Sequence, residues 1–256
     1  MDGDEPQKTE NVRAVARVRP LSEQELGSGA VQCLEVSDDR KRILVSACHD
    51  DAYPPSTVEF DHRKSTRMAQ RAFEMDEVIV GDQEDTFERS GVKDLLDSAM
   101  EGFSATAFAY GQTGSGKTYT MAGPNAESDN FDPASFNGII PRSVRYIFEQ
   151  THASDHRSTI RASFLEVYNE QVRDLWNPGA SNLTIREYPQ GYWQGFYVED
   201  LYIIESPSLD DLMVLLWEGM RRRAVGAHNL NKDSSRSHSI LTFYIESEEI
   251  IGASRA

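Results

Sequence analysis

Cysteine is scarce in this chain: only Cys33 and Cys48 occur among its 256 residues. Such a pair supplies neither a disulfide framework nor the ligand spacing of a structural zinc site, so both thiols are expected to be free and the fold must be held by packing. Long apolar runs are missing as well. No stretch reaches the about 18 apolar residues that cross a bilayer, and the N-terminal MDGDEPQKTEN lacks the basic and apolar regions of a signal peptide, so a soluble intracellular protein with no membrane insertion is expected. Positive charge is in deficit, with 26 Lys and Arg against 42 Asp and Glu and a net charge of −16. That balance excludes a nucleic acid partner, which needs a basic face, and works against attraction to any acidic surface. No Pro/Ser/Gly linker divides the chain, and a hydrophobic content of 39% suffices for one large α/β core.

What is present is concentrated between Ser104 and Met121, SATAFAYGQTGSGKTYTM. Ser104 to Tyr110 is small, apolar and aromatic without helical periodicity, and reads as a strand buried on both faces. Gly111, Gln112, Thr113, Gly114, Ser115, Gly116, Lys117 and Thr118 follow, satisfying G-x-x-x-x-G-K-[ST] between a strand and a helix start. The three glycines let the backbone curl so that successive N–H groups face inward as a nest for phosphate oxygens. Lys117 brings a point charge toward the β and γ phosphates, Thr118 offers a hydroxyl to Mg²⁺, and the helix start adds the positive end of its dipole. The spacing predicts a site for a nucleoside triphosphate with magnesium.

Taken in order, residues 1–11 read as a disordered acidic tail. Val12 to Val18 alternates as a strand running into Arg19-Pro20, with Arg17 and Arg19 on one face, where a solvated edge is the simpler reading. Val31 to Ser37, Ile43 to Cys48 and Thr57 to Phe60 suggest a small antiparallel excursion, and Arg63 to Arg71 a solvated basic loop. One helix is expected from Asp85 to Met100, stopped by Gly102. The order helix, buried strand, P-loop, helix fits a doubly wound nucleotide-binding sheet. Asn125 to Asn137 reads as a polar loop, followed by a helix with Pro141 near its start and Ile140, Val144, Ile147 and Phe148 on its apolar face. A β run from Ser158 to Asn169, a short helix from Glu170 to Trp176, and two or three strands between Leu183 and Ile204 come next. Ser206-Pro207 is expected to cap a helix through Met220, closed by Arg221 to Arg223 on its last carbonyls. Ala224 to His238 then forms a polar segment. It is either a plain surface loop or, given the P-loop upstream, the second loop that senses a γ-phosphate. A β run from Ser239 to Ile245 follows.

Five motifs in one order resemble the kinesin motor domain family: Arg17-Val18-Arg19-Pro20; Ala109 to Met121; Gly138-Ile139-Ile140-Pro141-Arg142; Phe164 to Glu170 with Arg173-Asp174-Leu175; and Asn231 to His238. The resemblance implies an α/β fold, a P-loop NTPase-type central mixed sheet flanked by helices, incomplete at the C-terminal end. It implies motor-domain residues from 12 to 247 and a short divergent end from 248 to 256. It further implies an ATPase that moves along microtubules, with ATP and Mg²⁺ as ligands and a cytoplasmic, cytoskeletal location. By the resemblance, Arg17, Arg19 and Pro20 would line the adenine with Tyr119 opposite. Asn231 and Ser234 would approach the γ-phosphate, and Ser235 would join Thr118 at Mg²⁺. Arg236 would seek a glutamate in the family's D-x-x-G-x-E motif. No D-x-x-G-x-E occurs after Ser235 in this sequence. The expectation is therefore that this chain alone neither hydrolyses ATP efficiently nor moves. The alternatives are a nucleotide- or partner-binding module without turnover, and another P-loop NTPase such as a myosin or a GTPase, against which the SSRSH and RxRP segments speak.

Overall fold

The computed structural model describes residues 12–46, 70–124, 126, 132, 134–153, 157–189, 195–230 and 237–248. The chain forms two compact units, Met1–Gly91 and Val92–Ala256.

In the first unit, β1 (Val15–Arg17) lies parallel to β5 (Glu77–Ile79). β1 is shorter than the alternation suggested, although Val18 N still donates to Ile79 O at 2.9 Å. Between the two strands come α1 (Glu23–Gly27), β2 (Leu34–Val36), β3 (Arg42–Ser46) and β4 (Gln70–Glu74); the last three form an antiparallel sheet, of which β2 and β3 match the expected excursion and β4 does not. Gln70 and Arg71 thus belong to a strand; Thr57 to Phe60, Cys48 and most of the basic loop lie outside the described residues. α2 (Gln83–Arg89) starts at Asp82, whose carboxylate accepts from Asp85 N at 2.9 Å. Val78, Ile79 and Phe87 bury their side chains. The helix expected from Asp85 to Met100 is two helices, because Gly91 takes φ +83, a left-handed conformation that ends the first.

The second unit begins with α3 (Val92–Met100) and continues with α4 (Lys117–Met121), α5 (Ile139–Ala153), β6 (Arg157–Tyr168), β7 (Gln171–Asp174), β8 (Ser181–Leu183), β9 (Ile185–Glu187), β10 (Phe196–Val198), β11 (Ile204–Glu205), α6 (Leu209–Leu230) and β12 (Ser237–Glu248). β6 is its axis: β12 pairs along its whole length on one edge, while β7 and β11 share the other. Ile160, Ala162 and Phe164 of β6 are packed with Val144, Ile147 and Phe148 of α5 and Leu212, Met213, Leu216 and Met220 of α6. Each of the larger side chains, Ala162 excepted, contributes roughly 1.5 to 3 kcal/mol on removal from water.

Four expectations are corrected here. Ser104 to Tyr110 is not a buried strand: it pairs with no described strand, and Phe108 and Tyr110 are 78% and 94% exposed. A strand buried on both faces needs neighbours on both edges, and β6 already has its edges filled. Glu170 to Trp176 is not a helix. Asn169 and Glu170 take φ +50 and +60, a two-residue type I′ turn that sends the chain back as β7 with Tyr168 opposite Gln171. Ser208 rather than Ser206-Pro207 caps α6, its hydroxyl accepting from Asp211 N at 3.2 Å. Lastly, Arg221 to Arg223 do not close that helix, which runs on through Ala224 to Leu230. Arg222 instead donates to the carbonyls of Leu175 and Trp176 at 3.0 and 3.1 Å, tying α6 to the end of β7.

Candidate functional site

Gly111 to Thr118 forms a tight loop leading into α4, exposed at Gln112, Thr113 and Gly114 and half-buried elsewhere. Gly114 and Gly116 take φ +79 and +94, values that side-chain-bearing residues rarely adopt, so the loop's curl depends on both. At Gly111 the constraint is space, since an added Cβ would stand 2.5 Å from Ser115 Oγ. Ser115 N donates to Gln112 O at 3.2 Å and closes the turn over Thr113. Lys117 folds its amine back over the loop, donating from Nζ to Gly111 O at 2.8 Å and Gln112 O at 2.9 Å. A cation is therefore held at the loop itself by two carbonyls that any stronger anion can outbid. α4 has five residues, so the expected dipole end amounts to a single turn, held by Thr120 Oγ1 and N, both donating to Gly116 O at 2.8 Å. Thr118 is half-buried on that turn and Tyr119 is 44% exposed.

The far side of α4 is fixed to the core by two glycines, of which Gly138 opens one of the five family-like motifs and Gly123 stands in none. Gly138 N donates to Ala122 O at 3.1 Å, and a Cβ on Gly138 would come 2.6 Å from the Ala122 backbone. A Cβ on Gly123 would come 2.4 Å from Ser135 O. Between them, the Asp132 carboxylate accepts from Ser135 Oγ at 2.7 Å and Ala134 N at 3.0 Å, and these bonds, the hydroxyl foremost, hold its pKa below the usual carboxylate range. The signal for this clamp was a glycine directly before an apolar helix start, in Gly138-Ile139-Ile140.

Arg17, Arg19 and Pro20 belong to the first unit. Half-buried Arg17 donates from Nη2 to Gly81 O at 3.5 Å. Exposed Arg19 grips Glu25 with two bonds of 2.7 and 2.6 Å and donates to Pro20 O at 3.0 Å, so its guanidinium is already committed. Asn231, Ser234, Ser235 and Arg236 lie outside the described residues. The segment that holds them is bounded by α6, ending at Leu230, and by Ser237, whose hydroxyl donates to the carboxylate of Glu166. Glu166, 4% exposed near the C-terminal end of β6, is a residue the sequence reading left without a role; a lone acid in the β run SFLEVY was its only mark.

A G-x-x-x-x-G-K-T loop with left-handed glycines, opening into a helix of an α/β unit, defines the class of P-loop nucleotide-binding proteins. Within it the assignment is specific. The family model for the kinesin motor domain matches residues 17–255, and the chain belongs to that family. It is 39% identical over 237 residues to kinesin-like protein KIF12 of Mus musculus, covering 91% of this chain and 33% of that protein. With kinesin-like protein KIN-12D of Arabidopsis thaliana it shares 36% identity, covering 93% of this chain and 8% of that protein. A solved fast kinesin, reported for its ATPase mechanism and interactions with microtubules, superposes with a TM-score of 0.76 at 32% identity, covering 93% of this chain and 60% of that one. The chain thus spans a third or less of the length of these curated relatives. Kinesin motor domains are nucleotide-binding microtubule motors, which fixes the fold and the family's business.

Proposed function

We propose that this chain binds ATP with magnesium at Gly111 to Thr118 and is the nucleotide-gripping part of a cytoskeletal motor that couples ATP hydrolysis to movement on microtubules. The observation that carries the reading is the Lys117 amine resting on the carbonyls of Gly111 and Gln112, beside left-handed Gly114 and Gly116, within a kinesin sequence. On uptake of the triphosphate, Lys117 exchanges those neutral acceptors for phosphate oxygens, and the loop amides turn toward the same anion. Thr118 and Ser235 would hold magnesium, which supplies the charge that offsets the phosphate oxygens. Asn231 and Ser234 would position the attacking water, and Arg236 would hold that loop in register. Arg17, Pro20 and Tyr119 would line the base; Arg19, bound to Glu25, would act by fixing the turn after Arg17.

A second reading, uptake without turnover, is favoured by the exposed segment Ser104 to Tyr110. With no described strand beside it, that segment leaves the loop anchored on one side only, and hydrolysis needs positioning within fractions of an ångström. Titration calorimetry with MgATP, alongside microtubule-stimulated phosphate release, tests both. Binding by the wild-type chain and a loss of roughly 100-fold or more in affinity for Lys117→Ala are expected; no magnesium-dependent heat would end the proposal. Turnover well above the Lys117→Ala control would remove the second reading and leave the first.

A further inference from the structure

β6 carries a buried acid that packing does not account for. Residues of one parity on a strand share a face, so Glu166 continues the row of Ile160, Ala162 and Phe164 that packs with α5 and α6. A carboxylate in such a row is a costly placement unless it is partnered, and Glu166 is 4% exposed. Arg173, opposite it in the β6–β7 ladder, stands over the ring of Tyr168 at 5.4 Å instead, and Glu166 forms no ion pair among the described residues. Its hydrogen bond comes from the hydroxyl of Ser237, the half-buried residue that opens β12 opposite Tyr168. Ser237 directly follows Arg236, so the acid grips the chain where the proposed γ-phosphate segment ends.

We infer that Glu166 is a positioning residue for the bound nucleotide: by holding Ser237 it fixes the trailing end of segment 231–236, and with it the seat of Ser235 at magnesium. The inference rests on the nucleotide reading above. Two peptide steps separate Ser235 from Ser237, at most roughly 7 Å of chain, so latitude at Ser237 passes to the proposed ligand with little loss. A carboxylate is a stronger acceptor than a neutral oxygen, and one set in a core face has little water competing for it. The leading flank is tied to the same hairpin, since Arg222 of α6 donates to Leu175 O and Trp176 O at the end of β7. The β6–β7 hairpin thus frames both flanks, and Glu166 is the contact nearer along the chain to the proposed ligands.

Titration calorimetry of the full chain with ATP, once with magnesium and once with EDTA, separates the grip of Gly111 to Thr118 from what magnesium adds. Ser237→Ala and Glu166→Ala should each lower MgATP affinity about tenfold and leave ATP affinity in EDTA as it is in the wild type. Their double variant should lose no more than either single one, because both remove the same bond. Glu166→Gln keeps an acceptor of the same size and should retain most of the MgATP affinity. Ser237→Ala loses one hydroxyl at a strand end and should keep the wild-type circular dichroism spectrum. Unchanged MgATP affinity in Ser237→Ala, equal losses with and without magnesium, losses that add in the double variant, or a Glu166→Gln loss equal to that of Glu166→Ala overturns the inference and leaves nucleotide uptake standing. No magnesium-dependent uptake by the wild-type chain ends the nucleotide reading, and this inference with it.

Discussion

The two arms of the glycine-rich loop sit in opposite environments. The incoming arm, Ser104 to Tyr110, has the composition of a core strand yet stands in solvent, with Phe108 and Tyr110 among the most exposed large side chains described. The outgoing arm, α4, leads into Ala122, which is fully buried, and is held by Gly138 and Gly123 against the start of α5. Apolar character alone therefore does not bury a strand. A strand is buried when other strands offer it hydrogen bonds, and a short helix when a neighbour lets its backbone approach. For the nucleotide loop this means rigidity on the side of Lys117 and Thr118 and latitude on the side of Gly111.

The sharpest way to break that comparison is to truncate one aromatic residue from each environment. Phe164 is 2% exposed, stands edge-on to Trp176 at 6.0 Å and lies directly over Gly219 of α6, where an added Cβ would meet its ring at 2.5 Å. Phe164→Ala should cost about 3 to 5 kcal/mol in urea denaturation. Phe108→Ala, 78% exposed, should stay within roughly 0.5 kcal/mol of wild type. Similar losses at both positions would show that the incoming arm is buried in solution and that the asymmetry is wrong.

A smaller effect probes the outgoing arm. Gly138→Ala forces a methyl group into the backbone of Ala122 and Met121, where no flexible side chain can yield. The expected cost is about 1 to 3 kcal/mol, accompanied by weaker MgATP binding, because α4 would lift from the core and carry Lys117 with it. Gly114→Ala, whose added Cβ meets nothing within 4 Å, should weaken binding through its left-handed φ with less effect on packing. Equal melting temperatures for Gly138→Ala and wild type would remove the clamp from the account.

Much of this was legible in the residues. The loop's glycines and Lys117, the apolar face of α5 with Val144, Ile147 and Phe148, and the antiparallel strands β2 and β3 all follow from spacing and composition, whereas β4 begins where a basic loop was expected. What escaped was decided by partners far away in sequence or by unusual turns. Ser104 to Tyr110 looked like a core strand because sequence reports side chains, not the supply of neighbouring strands. Asn169-Glu170 hid its type I′ turn because Glu is an uncommon occupant of a left-handed position. The length of α6 was missed because Arg221 to Arg223 looked like a C-terminal cluster, whereas Arg222 spends its charge on carbonyls of another element. The magnesium- and γ-phosphate-sensing residues proposed in 231–236 lie outside the described residues and rest on the family motif.

The least effect is expected where order exists without burial, which refines the comparison from a third side. α1 buries no residue, like the incoming arm, yet it is a helix because its own side chains close it. Ser22 Oγ accepts from Glu25 N at 3.2 Å, while the Glu25 carboxylate accepts from Ser22 N at 2.8 Å and from Arg19. Arg19 first, then Ser22, draws the Glu25 carboxyl down from its ordinary 4.5 to about 2. A carboxyl whose pKa is lower in the folded state contributes its stabilisation fully above 4.5 and loses it as the pH falls through about 2. Hydrogen-exchange protection of Leu26 N and Ser28 N, which donate to Ser22 O and Gln24 O, should therefore hold from about pH 7 to 5 and decline below the ordinary carboxylate range. Glu25→Gln should show the reduced protection throughout, with little pH dependence and no change at α5. If protection of α1 in that variant matched wild type at neutral pH, local side-chain closure would not be what orders an unburied segment, and the irregular course of the incoming arm could not be attributed to its lack of such bonds.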